Sequence, residues 1–462
     1  MKLYNTLSRS IEEFQSLEDS AVRMYACGPT VYDYAHIGHM RKYINDDILR
    51  RVLEQNGYAV KHVMNVTDVG HLVSDGDEGE DKLEKGAKKF GKSVLDIARY
   101  FEKDFFESIH SVNIQQPSIV ARATEHIKEQ IELIEVLQEK GYTYTTSQAI
   151  YFDVSKFPAY TKLSGQDLDE QRTGARDDVV VDTKKRNPQD FALWFFTIGR
   201  FENHELKWNS PWGSGFPGWH IECSAMAMKY LGLQLDIHTG GIDHIPVHHT
   251  NEIAQSESAS GVEFVKYWVH HEFLMVDSAK MSKSKENFYT LRDLDKKNIS
   301  PLAFRYLTLQ VHYRTEMNFT WKSLQSAQNA LERLYEISLS LPVVGGAGCI
   351  EFDRDFMDAV NNDLNMPKAL SIMWDMLRSD NSDRDKAASL YLMDKIFGFQ
   401  IEAQVSAMRT IPHEITEMIQ EREELRRQKR YTDADVMRKT LDQKGYVIKD
   451  KEDGTTQVLK KL

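Results

Sequence analysis

The chain has 462 residues, 41% of them hydrophobic, and carries a net charge of −12. That length exceeds one ordinary core and predicts about three domains. The acidic balance excludes an indiscriminate nucleic-acid coater, whose affinity would come from phosphate neutralisation, and no run of about eighteen apolar residues exists, so no membrane partner is expected.

The opening MKLYNTLSRSIEEF lacks the basic-then-apolar pattern of a secretion signal, so a cytoplasmic location is expected. A βαβ unit comes first. The strand RMYAC ends at Cys27, a helix runs from about His39 to Gln55 with Ile44, Ile48, Leu49, Val52 and Leu53 on one face, and YAVKHVMNV returns as a strand. This predicts an α/β fold built on a Rossmann-like, doubly wound parallel sheet. Helices VLDIARYFEKDFFESI and TEHIKEQIELIEVLQEKG follow. From Tyr142 to about Pro217 short strands and turns, such as AIYFDV and DDVVVDT, read as an inserted subdomain. The α/β pattern then resumes with a helix near CSAMAMKYLG, the strand LQLDIH, Gly240-Gly241 and a helix around TNEIAQSESASG. Beyond Asn298 the pattern is helical and suits an antiparallel bundle, interrupted by the linker VVGGAG. Two further helices and a hairpin turning at Asp453-Gly454 close the chain. The expected division is residues 1–117 and 218–297 as two halves of one Rossmann-like domain, 118–217 as the insert, 298–400 as a helical bundle and 401–462 as a small C-terminal domain.

Three clusters carry chemistry. His36-Ile-Gly-His39 stands where a strand hands over to a helix, a place that suits an anion because backbone N–H groups and the helix dipole face it. Taken alone, HxGH is equally compatible with two structural histidines. Lys280-Met-Ser-Lys283-Ser places two lysines among small polar residues, able to swing over a triphosphate or merely to decorate a surface. Three cysteines cannot build a disulfide framework, so each is a buried thiol, a ligand or a nucleophile. Cys27, Cys223, His248 and Glu252 form a credible Zn²⁺ set, with His248 and Glu252 one helical turn apart, although the absence of a local CxxC leaves plain buried thiols open.

Together HxGH and KMSKS resemble the paired signature of class I aminoacyl-tRNA synthetases. CGPTVYDYAHIGH, NVTD, DFALW, SPWGSGFPGWHIECSAM, HHTNEIAQSE, KMSKSKENF and NNDLNMPKAL resemble the cysteinyl-tRNA synthetase family from end to end. The resemblance implies a zinc ion on Cys27, Cys223, His248 and Glu252 that receives the thiolate of L-cysteine, with Gly28, Thr67 and Trp219 lining the amino-acid pocket. It implies ATP, with Mg²⁺, held by Gly38, Gly241, Asp243 and Lys283, and catalysis by His36, His39, Lys280 and Lys283. It implies tRNA(Cys) as partner, met by the helical region and by a basic C-terminal segment containing Lys429, Arg430 and Tyr431, in a monomer. Zinc suits cysteine because packing separates near-isosteres such as serine by only about a hundredfold, whereas a soft metal binds a thiolate and leaves a hydroxyl protonated. Phe216, where the family often has arginine, Thr250, where it often has glutamate, and the segment NVTDVGHLVSDGDEGEDK depart from the pattern. An amide-forming cysteine ligase built on the same catalytic half is the nearest alternative, and a non-catalytic tRNA-binding or zinc-sensing paralogue the next.

Overall fold

A computed structural model of the chain describes residues 1–69, 72–74, 78–166, 184–281, 287–342, 345–410, 412–450 and 456–460. Its centre is a parallel sheet of five strands: β1 (Ala21–Ala26), β2 (Ala59–Val66), β3 (Ile119–Arg122), β4 (Leu235–Gly241) and β5 (Val265–His271). They lie in the order β5-β4-β1-β2-β3. The order reverses between β1 and β4, so the two crossovers leave to opposite sides and a crevice opens beyond the carboxyl ends of these strands. Both faces of the sheet are covered, so β4 is buried along nearly its whole length even though it carries Asp236, His238 and Thr239.

Helix α1 (Ile37–Gln55) joins β1 to β2 and buries Ile44, Ile48, Leu49, Val52 and Leu53, the stripe its spacing predicts. It begins two residues before the expected His39 because His36 caps it: the His39 backbone N–H donates to His36 Nδ1 at 3.2 Å. Arg41, fully buried on α1, donates to the carbonyls of Glu272, Phe273, His312 and Thr315, which fixes the helix against the chain leaving β5.

Between β3 and β4 the chain makes the insert, a five-stranded antiparallel sheet in the order Trp208–Ser210, Gly213–Pro217, Phe191–Phe196, Ala149–Phe152, Thr143–Thr145. The stretch DDVVVDT lies outside the described residues. Helix α2 (Trp219–Leu231) leads into β4, and a wide π-helical turn, Ile245–His249, leads into α3 (Thr250–Ser260). The helical region packs on α1 through a fully buried ion pair, Arg305 Nη2 to Asp47 Oδ2 at 2.6 Å. At the C-terminal end helices His413–Arg427 and Tyr431–Gln443 cover the hairpin Tyr446–Asp450/Thr456–Lys460 around a separate core of Ile415, Ile419, Leu441, Tyr446, Ile448 and Val458. The hairpin's turn, with Asp453-Gly454, is outside the described residues. Among the described residues no helix is long and apolar enough to cross a membrane.

Candidate active site and metal centre

Cys27 follows the last residue of β1, Cys223 sits in the second turn of α2, His248 in the π turn and Glu252 in the first turn of α3. The doubly wound topology brings the four together: their ligand atoms all lie within 4.8 Å of one another and all four residues are buried. His248 Nε2 is 3.0 Å from Glu252 Oε1, an oxygen that makes no aligned hydrogen bond, while Glu252 Oε2 receives His238 Nε2 at 3.0 Å. Burial raises the Cys27 thiol, and a hydrogen bond to Cys27 together with burial raises Cys223 further. Burial opposes a charge on His248, yet the adjacent Glu252 and Cys223 lift it to about 10. Burial likewise opposes a charge on Glu252, but His238 and His248 hold it well below the usual carboxylate range. Burial thus disfavours the thiolate form of Cys27 and Cys223, so a divalent cation binding there would displace their protons. Two soft sulfurs, an imidazole and an orphaned carboxylate oxygen fit such a cation.

A second quartet, Cys27, His238, His249 and Glu252, meets the same distance criterion. It has one thiol, and its imidazoles are already engaged: His238 on Glu252, His249 Nε2 3.3 Å from Cys27 Sγ with its Nδ1 2.7 Å from His270 Nε2. These histidines are better placed as outer partners that orient the ligands. Sequence reasoning named His248 and passed over His238, His244 and His249, although HTGGIDHIPVHH holds four of the chain's 16 histidines.

A crevice of about 480 Å³ runs from Cys27, Cys223 and His248 to His36, His39 and Asp243. His36 and His39 stack with ring centroids 3.5 Å apart. Because His36 Nδ1 accepts the capping hydrogen bond, its Nε2 carries the proton and is a donor. His39 is reached by solvent from the crevice, yet enclosure by protein, with His244 and Lys42 nearby, overrides Asp243 and lowers it to about 4, so it is neutral near pH 7. Gly38 has no room for a side chain: a Cβ would come within 2.8 Å of Met281 Cε and 2.9 Å of the His36 ring. Met281 of the KMSKS stretch thus rests on the start of α1. Lys280 pairs through its backbone with Met275, and Lys283 lies outside the described residues.

At the end of the crevice nearest the metal quartet, Gly28 donates its N–H to Asn65 Oδ1 at 2.7 Å, and a Cβ there would collide with Asn65 O at 1.7 Å. Thr67 donates its hydroxyl to Glu222 Oε2 at 2.9 Å, a fully buried carboxyl that burial pushes well above its usual range and that sequence reasoning did not single out. Trp219 stacks on His248 at 4.2 Å. Gly241 ends β4 where a Cβ would meet Asp243 Oδ1 at 2.2 Å. Of the departures from the family pattern, Phe216 is core to the insert, stacked 3.9 Å from His204, and Thr250 turns its hydroxyl to Ile245 O at 2.7 Å. Neither lines the crevice. A hollow of about 670 Å³ elsewhere, between helix Val94–Ser111 and the insert, is floored by the ion pair Arg122–Glu102 and gathers none of these groups.

A reversed parallel sheet with His36 of HxGH capping the first helix and Met281 packed on Gly38 of that motif defines a class I aminoacyl-tRNA synthetase. Residues 13–329 match the family described as tRNA synthetases class I (C) catalytic domain, and residues 408–458 the cysteinyl-tRNA ligase anticodon binding domain. The chain is 45% identical to cysteine–tRNA ligase 1 of Burkholderia lata over 98% of this chain and 96% of that one. It is 43% identical to the cysteine–tRNA ligase of Treponema denticola over 99% of each. Solved structures share the fold at low identity. Mycobacterium tuberculosis methionyl-tRNA synthetase with methionyl-adenylate has a TM-score of 0.57 at 16% identity, covering 84% of this chain and 91% of that one. The Agrobacterium radiobacter K84 agnB2 LeuRS–tRNA–LeuAMS complex has 0.59 at 12%, covering 86% of each. The chain belongs to the cysteine–tRNA ligase family.

Proposed function

We propose that the chain joins L-cysteine to tRNA(Cys) at this one crevice, as a cytoplasmic monomer. The cysteine carboxylate attacks the α-phosphate of ATP, bound with Mg²⁺. A C–O–P linkage forms as pyrophosphate leaves, and a ribose hydroxyl of the terminal adenosine of tRNA then takes the cysteinyl group from AMP. Positioning and charge stabilisation supply most of the acceleration.

One observation carries the reading: the buried quartet Cys27, Cys223, His248, Glu252 adjoins the crevice lined by His36, His39 and Asp243. Cys27, Cys223, His248 and Glu252 would hold zinc, which would supply a Lewis acid that favours a thiolate over a serine hydroxyl. Gly28 keeps the chain close to Asn65, and Thr67 and Trp219 wall the amino acid. Asp243 accepts from the ribose hydroxyls, and Gly38 and Gly241 leave the nucleotide room. His36 donates from Nε2 to the phosphates beside neutral His39, and Lys280 and Lys283 neutralise the departing pyrophosphate. Residues 1–117 and 218–297 carry this chemistry, 118–217 receive the acceptor end, 298–400 the stem and 401–462 the anticodon.

The test is ATP–pyrophosphate exchange with cysteine or serine, before and after chelation. Cysteine-dependent exchange that chelation abolishes, with serine orders of magnitude slower, is expected. Comparable activation of serine, or indifference to the chelator, refutes the metal-selection reading.

A further inference from the structure

Lys42 lies one turn beyond His39 on α1, in the crevice wall between the metal ligands and the HxGH pair. Its side chain is 12% exposed. The ammonium donates to the carbonyl of Cys27 at 2.5 Å and lies 2.7 Å from Asp46 Oδ2, with the Tyr43 ring 4.6 Å away. Asp46 is itself buried, and its other oxygen receives His271 Nε2 at 2.7 Å from the end of β5. A lysine fixed by one hydrogen bond and one ion pair in this way has an ammonium held on a rigid stem with N–H capacity left over, unlike a flexible surface lysine.

The position matters for the reaction. Only two carbons separate the thiol of cysteine from its carboxyl group. A cysteine whose sulfur meets the ligands beside Cys27 must carry its carboxylate toward His39 and Asp243 to reach the α-phosphate, and that path passes the ammonium anchored on Cys27 O. Among the described residues no other lysine or arginine lines this crevice.

We propose that Lys42 is a further substrate-binding residue: its ammonium holds the carboxylate of the amino acid while that group attacks the α-phosphate, with Asp46 and His271 as positioning residues. Lys42 keeps its proton throughout; the carboxylate oxygen forms the new bond to phosphorus and pyrophosphate takes the electrons of the bond that breaks. The inference rests on the thiol-on-metal reading above.

Cysteamine, which has the thiol and amine of cysteine but no carboxylate, separates the two ideas. Binding of each ligand to zinc-loaded enzyme is measured by calorimetry for the native chain, Lys42→Met and Asp46→Asn, with zinc content determined in parallel. Losing a charge-assisted hydrogen bond weakens cysteine by about tenfold or more in Lys42→Met, with cysteamine changed by less than about threefold. Asp46→Asn shifts the same ratio in the same direction by less. An equal loss for both ligands, an unchanged affinity for cysteine, or a loss of zinc from Lys42→Met overturns the proposal. Failure of the metal reading looks different: chelated native enzyme would bind both thiols as tightly as the loaded form.

Discussion

Gly38→Ala isolates the link between the α1 cap and catalysis. The added methyl would lie 2.8 Å from Met281 Cε and 2.9 Å from Cε1 and Nδ1 of His36. Met281 is a flexible tip and can retreat, whereas the imidazole is held by the His39 N–H and by its stack on the His39 ring. The ring must therefore swing, and two costs follow. Losing the side-chain cap removes about 1 kcal/mol of stability. Misplacing one preorganised donor at a developing phosphate charge slows adenylation by about a hundredfold or more. ATP–pyrophosphate exchange reads the second and thermal melting the first. A variant that melts earlier yet exchanges within about threefold of the native rate would show that His36 is only a structural cap and refute the phosphate-donor role.

Other expectations follow from the same geometry. Cys223→Ala removes one sulfur from the quartet, so zinc retained after dialysis against a competing chelator should fall by more than about a hundredfold in affinity, with the fold kept by circular dichroism. Arg41→Met removes the buried donor shared by four part-buried carbonyls and should destabilise the chain by about 2 kcal/mol or more in urea unfolding; a loss below about 1 kcal/mol would show that water replaces the guanidinium. His62 in β2 is buried with neither ring nitrogen hydrogen-bonded, and burial lowers it to about 4. Its folded value lies below the unfolded value of about 6.5, so the unfolded chain takes up the proton first, and stability present above that pH is lost as pH falls toward 4, by about 3 kcal/mol. His62→Phe should flatten that part of the stability curve, and parallel curves for variant and native chain would refute the assignment.

The fold was readable where a local period sets structure. The α1 stripe, the strands that flank it and the Gly-bounded helices need only neighbours in sequence. The donors of the candidate metal cluster were visible in the sequence, His248 and Glu252 one helical turn apart, but with members spanning Cys27 to Glu252 and no local CxxC they read equally as buried thiols, and only the family resemblance joined the four into one set. What surrounds them was not visible. His238, His249 and His270 engage partners across strands, and the Lys42–Asp46–His271 network joins α1 to β5; no spacing rule announces contacts between residues some 225 positions apart. Phe216 drew notice as a departure near the pocket, yet it alternates with its neighbours on a strand and so faces the insert's own core. Lys283, Asp453 and Gly454 lie outside the described residues.

The crowding of Cys27, His36 and His39 within thirteen residues has a physical reason. At a strand-order reversal the chain leaves β1 and must enter α1 directly over the crevice, so the residues of that one junction reach both of its ends. Cys27 turns toward Cys223 of α2 and Glu252 of α3, where the candidate metal ligands gather. His36 and His39 turn toward the helix N-terminus, where an anion is favoured. A single rigid segment thereby sets the distance between the atom that is recognised and the atom that reacts. Lys42, the next residue of α1 on that wall and anchored on the carbonyl of Cys27, ties the two ends to each other. A substrate longer or shorter than cysteine by one carbon, such as homocysteine, would place its carboxylate out of register with Lys42 even with its thiol well bound. Homocysteine should therefore bind about tenfold or more weakly than cysteine, as cysteine itself does in Lys42→Met, and be slower still in exchange, whereas serine loses the sulfur contact instead.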